Sequence, residues 1–189
     1  MDRAQDVLKF ALLAGLLSTM IAATSGVTAL VLGGFAKWAQ YPAMWLTWWL
    51  GDAAGDILIA PLLLLSGSSP PLKWSRRKIV EAVILSICLI AAGEVIFDGV
   101  LTFGPRSYPL EYICMPFLIW AAFRFGRRGA AVGTLLLAGT AIWGTLHGSG
   151  PFARGSRNES LVVLQAFLSV GAVMAMSLAA EVTQRRRAE

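Results

Sequence analysis

The sequence predicts an all-α fold, a polytopic integral membrane bundle of about six transmembrane helices with both termini in the cytoplasm. The 189 residues are 57% hydrophobic and only 14% charged, with a mean hydropathy of +0.67, whereas a soluble domain has about 25% charged residues. The apolar residues form runs of about 20, the length that crosses a bilayer. The basic residues concentrate in alternate connections. These features exclude a disordered chain, a coiled-coil rod and a disulfide-stapled secreted scaffold.

Six apolar segments follow one another as a single domain, with short connections rich in Gly, Pro and Ser. They are 7–31, 43–65, 79–101, 109–125, 129–148 and 161–182. The apolar run of the first is longer than the apolar core of about 7–15 residues in a signal peptide, and no clear A-x-A site follows it, which indicates a retained helix. The fourth is the shortest and lies between Pro109 and the pair Arg127 and Arg128. The sixth has no ionisable residue before Glu181 and continues into the basic run 185–187.

The basic residues favour six spans over five and orient them. With six spans and a cytoplasmic N-terminus, 12 Lys and Arg residues fall inside and 4 outside, and five spans would break this alternation. The inside set is Arg3, Lys9, Lys73, Arg76, Arg77, Lys78, Arg124, Arg127, Arg128, Arg185, Arg186 and Arg187, and the outside set is Lys37, Arg106, Arg154 and Arg157. The net charge of +5 is therefore an orientation signal and predicts no nucleic acid partner. The inner loops can still contact anionic lipid heads.

Small residues mark the first two spans. Gly15 and Gly26 lie in the first span, and Gly51 and Gly55 lie four residues apart in the second. Small residues let transmembrane backbones approach closely, so these four glycines are predicted to pack helices against one another within the bundle. A face for a homodimer is the alternative interpretation.

Acidic residues inside the spans are the first candidates for a functional site. Asp52 and Asp56 lie four residues apart, hence on one helical face, and Glu94 and Asp98 repeat this spacing in the third span. An acid at the bilayer centre costs about 2.5–3.5 kcal/mol on the insertion scale, so an intramembrane acid is a functional-site hypothesis by default. The alternative is that these acids hold the fold together through hydrogen bonds.

Trp48, Trp49 and His147 complete the predicted ligand-binding or coupling site. The aromatic residues that precede them in the second span fit an interfacial belt, but the two tryptophans lie deeper in that span. His147 ends the fifth span on the outer side, either as an interfacial residue or as a pH-sensitive switch.

No catalytic module, cofactor site or metal site is predicted. The sequence holds no Walker loop, dinucleotide fingerprint or HExxH motif. An aspartyl protease is disfavoured, because its two carboxylates share a proton at one substrate bond. Asp52 and Asp56 lie four residues apart on one helix, and such a pair does not normally bring both carboxyl groups onto one bond. A thiol transpeptidase built from Cys114, Arg124 and His147 is disfavoured because Arg124 belongs to the opposite side of the membrane. The two cysteines lack the spacing of a zinc site or a disulfide framework.

Five sequence blocks carry a resemblance to a known family. They are Trp48–Ile57 with Ala60-Pro61-Leu62, Pro116–Gly126, Trp143-Gly144-Thr145, Gly148–Phe152 and Leu164–Leu168. In this order they resemble the first class of membrane-associated sensor domains, the MASE group, of bacterial signalling proteins. The chain resembles the C-terminal two-thirds of that domain, because an earlier W-P-P-like block is absent. It ends where an output domain begins in the family, which implies a fragment, a trimmed chain or a stand-alone remnant.

The resemblance implies a multi-pass sensory input domain of the bacterial inner membrane. Family members are fused to histidine kinases, diguanylate cyclases or phosphodiesterases. A small ligand, a membrane protein partner or a second copy of the chain would act on the domain, and the last helix would relay the change. The sequence does not identify the ligand. The alternatives are a small-molecule transporter or substrate-capture component, disfavoured because no inverted repeat is evident, and a structural interaction module.

Overall fold

A computed structural model describes residues 3–68, 74–98, 110–153 and 155–188. Long helices dominate these ranges, and the described residues form no strand. The five long helices are α1 Ala4–Leu32, α2 Tyr41–Ser68, α3 Arg76–Phe97, α4 Met115–Leu146 and α5 Arg157–Ala188. Short 3-10 turns at Trp38–Gln40 and Leu110–Cys114 lead into α2 and α4. The all-α membrane bundle predicted from the sequence is confirmed.

Helix α4 reverses direction at Gly126, which has φ of 65° and ψ of −154°. A Cβ at Gly133 would lie 3.4 Å from Leu118 Cδ2 and 3.5 Å from Ala121 Cβ. On a straight helix the 15 residues from 118 to 133 would span about 22 Å. The contacts therefore require two antiparallel arms, 115–125 and 127–146, joined at a backbone conformation that is essentially restricted to glycine.

These two arms correspond only in part to the predicted fourth and fifth spans, 109–125 and 129–148. The 3-10 turn Leu110–Cys114 precedes the first arm, the second arm ends at Leu146, and residue 109 lies outside the described residues. By length and composition alone, the described helices able to cross a membrane number five, because Leu110–Leu146 is counted as one. The second arm, 127–146, is about 30 Å long at 1.5 Å per residue, the thickness of a bilayer core. The number of crossings and their orientation stay predictions.

The observed helices extend beyond most of the apolar segments predicted from hydropathy. The segments 7–31, 43–65 and 161–182 lie inside α1, α2 and α5, because a hydropathy pattern marks the apolar part of a helix and not its polar ends. The third segment, 79–101, differs at its end, since α3 stops at Phe97 and Asp98 caps it. Residues 99–101 lie outside the described residues.

The two ends of the bundle carry different kinds of side chain. At one end, called here the aromatic end, the start of α2 meets α1 and α5, and the end of α3 meets α4. At the other, the basic end, the Gly126 turn meets the ends of α2 and α5. The aromatic end carries Trp38, Tyr41, Trp45, Trp143, His147 and Phe152, and the basic end carries Arg76, Arg77, Arg124, Arg127, Arg128, Arg185 and Arg186.

Helix α5 lies at the centre of the bundle. It contacts α1, α2 and α4, while α3 packs mainly on α4. Its buried face is built from small or flexible apolar residues, which allow close helix packing: Leu164, Leu168, Ala172, Ala175, Met176, Ala179 and Ala180. Outward-facing apolar side chains remain highly exposed, such as Ile21 of α1 at 74% and Val170 on the opposite face of α5 at 69%. Such an outer surface suits lipid and not water.

Candidate functional site

Two tryptophans of α2 anchor that helix to α1. The indole of Trp45 donates to Thr24 Oγ1 at 2.9 Å, and the indole of Trp49 donates to the backbone oxygen of Leu16 at 2.8 Å. The two indole rings stack with centroids 5.3 Å apart. Leu16 lies in the π-helical segment Ala11–Ser18 of α1. Buried indole N–H groups need such acceptors, so the structure places Trp49 in a helix–helix contact.

Trp48 and two glycines lie at the same contact between α1 and α2. A Cβ at Gly26 would lie 2.9 Å from the Trp48 ring, and a Cβ at Gly15 would lie 2.9 Å from Ile57 Cγ1. Trp48 itself is 40% exposed. Both glycines therefore occupy positions where α2 leaves no room for a larger side chain.

Asp52 and Asp56 lie one turn apart on α2, and both are partly buried. Neither carboxylate makes a hydrogen bond or an ion pair to any residue that the structure describes. Charged groups in an apolar bundle are costly without a partner. The preceding glycines differ, since Gly55 faces open space while Gly51 contacts the side chain of another helix.

That side chain is Gln165 of α5. Its Nε2 lies 3.2 Å from the position of a Cβ at Gly51, while its Oε1 is buried and has no hydrogen-bond partner among the described atoms. One turn later, Ser169 Oγ is buried in the same unpartnered state. The turn of α2 that carries Asp52 therefore contacts a polar, unsatisfied stretch of α5.

A second contact ties α2 to α5 nearer the aromatic end. Thr47 Oγ1 donates to Asn158 Oδ1 at 2.6 Å. Gln165 belongs to the block Leu164–Leu168, but the sequence pattern predicted no role for this residue or for Asn158. An amide within an otherwise apolar span was the available signal for Gln165.

Glu94 and Asp98 are exposed and lie apart from the aspartates of α2. They belong to the last turn of α3, where the Asp98 N–H donates to the Glu94 backbone oxygen at 2.9 Å. Acidic groups at the C-terminal end of a helix face the negative end of its dipole and do not stabilise it. Because α3 packs mainly on α4, the structure divides the four predicted acids into two separate pairs.

His147 forms a local contact at the end of α4. Its ring lies 4.2 Å from that of Trp143, and its Nδ1 lies 2.8 Å from the Trp143 backbone oxygen. The side chain is exposed. None of its described hydrogen bonds or ring contacts involves a predicted acid.

Arginines at the basic end bind backbone oxygens near helix ends. Arg186 Nη2 donates to the Phe123 oxygen at 2.8 Å, and Arg128 Nη2 donates to the Leu65 oxygen at 3.1 Å. Carbonyl groups in the last turn of a helix lack intrahelical donors, so guanidinium groups satisfy them. In the sequence, these arginines indicate only the orientation of the spans.

The described residues hold no group of three or more His, Cys, Asp or Glu side chains that could bind a metal ion. Cys114 is buried and Cys88 partly buried, and both are free thiols.

Comparison with known proteins gives one match. A family model described as MASE1 matches residues 1–186. The match begins at the first residue and includes α1. The prediction that the chain resembles only the C-terminal two-thirds of the domain differs from it in this detail. No curated protein and no solved structure matches the chain.

Proposed function

The chain belongs to the MASE1 family of membrane-associated sensor domains, and on that premise we propose that it is the sensory input domain of a bacterial signal-transduction protein. Its output would be of the histidine kinase or cyclic-di-GMP enzyme type, and its location the inner membrane. A small ligand or a membrane protein partner would act near Asp52 and Asp56. The last helix, α5, would carry the resulting change to the cytoplasmic side.

The contact between Gln165 and Gly51 is the observation that supports this route. The aspartates of α2 have no described partner, and Gln165 on the neighbouring turn has an unsatisfied carbonyl. A ligand or a shift in packing that satisfies these groups gains free energy that other arrangements do not offer. Such a difference between two packings is what a sensor needs, because a ligand shifts an equilibrium only by its differential affinity.

Helix α5 connects this contact to the basic end. From Gln165 to Arg186 it extends about 32 Å at 1.5 Å per residue. Near Arg186, the Thr183 Oγ1 lies 3.4 Å from the position of a Cβ at Gly126, and the Arg186 guanidinium holds the Phe123 oxygen. A small translation or rotation of α5 would therefore alter contacts at both of its ends, as signalling helices do.

A reporter fusion tests the proposed function. The chain would be joined after residue 189 to a histidine kinase output, and activity would be compared for the wild type, Asp52→Asn and Asp56→Asn. A change of about 1.4 kcal/mol in the balance of two packings alters their ratio tenfold, so we expect a clear shift in kinase output from either variant.

The matched control is Glu159→Gln, which removes an exposed carboxylate that accepts the Ser156 N–H near the aromatic end. We expect it to leave the output unchanged. All variants would be compared at equal amounts in the membrane fraction. Wild-type output from both aspartate variants, at equal insertion, would contradict the proposed role of Asp52 and Asp56.

A further inference from the structure

An open groove of about 870 Å³ lies between α3 and the two arms of α4, with the end of α2 at one side. This volume lies within the range of about 300–1,000 Å³ that small-molecule sites occupy. Its walls are largely apolar and include Leu62, Leu85, Leu89, Ile90, Val132 and Leu136. The groove is separate from the contact of α2 and α5 around Gln165.

The groove has the depth of one bilayer leaflet. Along α3 its lining extends from Ile79 to Ile90, and these 11 steps cover about 16 Å. Half of a hydrocarbon core is about 15 Å thick. From the basic end, the groove therefore extends over about half the length that a spanning helix needs.

Polar groups gather at the basic end of the groove, apart from Ser86, whose hydroxyl donates to the Ala82 backbone oxygen at 2.9 Å. Arg128, Ser66 and Trp74 lie there, and the Trp74 ring packs on Phe125 with centroids 5.5 Å apart. Tryptophan and arginine both suit the level of lipid headgroups. Basic pockets between transmembrane helices on the cytoplasmic side bind anionic headgroups.

The charge at this end complements an anion. Glu81 is the acid of α3 at this level, and Arg124 pairs with it at 2.6 Å between Nε and Oε1. Glu181 of α5 pairs likewise with Arg185 at 3.2 Å. Because the basic residues at this end outnumber these paired acids, the mouth of the groove attracts negative charge.

We propose that this groove binds one acyl chain of an anionic phospholipid from the leaflet at the basic end, with the lipid phosphate at Arg128. A guanidinium binds phosphate oxygens through charge-assisted hydrogen bonds. A helix of a partner protein would need a groove that spans both leaflets, about 30 Å, and this groove is half as long. Its polar mouth and apolar floor match a lipid instead.

A bound lipid would stabilise the contact between α2 and α4. Arg128 already holds the Leu65 oxygen near the end of α2, and the acyl chain would contact α3 and both arms of α4. The lipid composition of the membrane would then influence the packing of the bundle at its basic end.

Native mass spectrometry of the full chain tests this proposal. The purified protein would be titrated with phosphatidylglycerol and, separately, with phosphatidylcholine. We expect one phosphatidylglycerol per chain to be retained and phosphatidylcholine to be lost. The variant Ala82→Trp fills the groove, because Ala82 lines it, and it should bind phosphatidylglycerol about tenfold less, since a filled groove has no space for the acyl chain.

The matched control is Ile84→Trp on the same helix. Ile84 is 49% exposed and lies outside the groove lining, so this variant should bind phosphatidylglycerol as the wild type does. Circular dichroism and thermal melting would establish that both variants fold. Equal lipid retention by the two variants would overturn the proposal. So would a dimer that Ala82→Trp alone abolishes, because a second copy would then occupy the groove.

A wild-type measurement covers the case in which Ala82→Trp does not fold. Phosphatidylglycerol with a photoreactive group midway along one acyl chain would be crosslinked to the chain in nanodiscs. We expect the crosslinks to concentrate in peptides that contain 85–90 and 132–136. An even distribution that includes the exposed face of α1 would contradict the proposal.

Discussion

At the scale of single residues, polar groups within the spans fall into two classes. The indoles of Trp45 and Trp49 have acceptors on α1, and they explain how α2 is held. Among the described residues, the buried atoms without a hydrogen-bond partner are Gln165 Oε1, Glu111 Oε2, Ser169 Oγ and Ser177 Oγ. The partly buried Asp52 and Asp56 make no hydrogen bond or ion pair to a described residue. Native structures leave few buried polar groups unsatisfied, and each such group requires an explanation. The first class is structural, and the second class supplies the candidates for sensing.

Replacement of Gln165 by methionine separates stability from signalling. Gln165→Met retains the side-chain volume and removes a buried unpartnered carbonyl, whose burial costs about 1–3 kcal/mol. We expect the thermal midpoint in detergent to stay equal or rise, and the response of the kinase fusion to fall. An unaltered response, with the same stability, would show that Gln165 does not couple α2 to α5.

Gly144 provides a test of packing between α3 and α4. A Cβ there would collide with the backbone oxygen of Phe97, and overpacking of this kind costs about 1–3 kcal/mol. Gly144→Ala should therefore lower the free energy of unfolding by that amount. Gly139→Ala on the same arm meets nothing within 4 Å and should be neutral or slightly stabilising. Denaturant titration in micelles would compare them, and equal midpoints would contradict the packing.

At the scale of elements, the reversal of α4 determines how the bundle is built. The distribution of basic residues predicted two spans here, and the structure has two arms that meet at Gly126. A count of the observed helices by length and hydropathy takes Leu110–Leu146 as one. The charge pattern was informative because Arg127 and Arg128 follow the turn directly. It did not show that a single glycine suffices for the reversal.

Gly126→Ala tests this turn. The backbone there has a positive φ with an extended ψ, and holding a residue other than glycine in this region costs about 1–3 kcal/mol. We expect a lower thermal midpoint in detergent and a higher fraction of misinserted protein. Gly67→Ala, at a position with open space, serves as the control. The turn is wrongly assigned if both variants match the wild type.

The sequence predicted the helices better than the contacts between them. Runs of apolar residues locate the helices because burial in lipid imposes them. The π-helical segment Ala11–Ser18 and the pairing of Thr47 with Asn158 depend on how helices pack, and hydropathy does not record packing. For the same reason, the spacing of Asp52 and Asp56 predicted a site but gave no indication of Gln165 beside it.

At the scale of the whole molecule, the bundle has two chemically different ends joined by α5. Rings and amides gather at the aromatic end, and arginines bind carbonyl oxygens at the basic end. The contact of Arg186 with Phe123 joins the last helix to the turn of α4. A movement of α5 would therefore change its contact with α4 at the basic end, where the proposed output domain would follow.

Arg186→Gln tests that connection. Arg186 is exposed, so the loss of its hydrogen bond to the Phe123 oxygen should cost less than about 1 kcal/mol of stability. We expect a shifted basal output of the kinase fusion with little change in melting. Arg185→Gln removes only an exposed pair with Glu181 and should leave the output unchanged. Identical outputs from the two variants would argue against a specific contact.

The most direct test is a distance measurement across the basic end of the intact chain. Spin labels would be placed at the exposed positions Arg77 and Gln184, with the two native cysteines replaced by alanine. Pulsed electron paramagnetic resonance would compare the unsubstituted background with Asp52→Asn and with the control Glu159→Gln. We expect Asp52→Asn to shift the distance distribution and Glu159→Gln to leave it unchanged. Identical distributions in all three proteins would contradict the coupling of the α2 aspartates to α5.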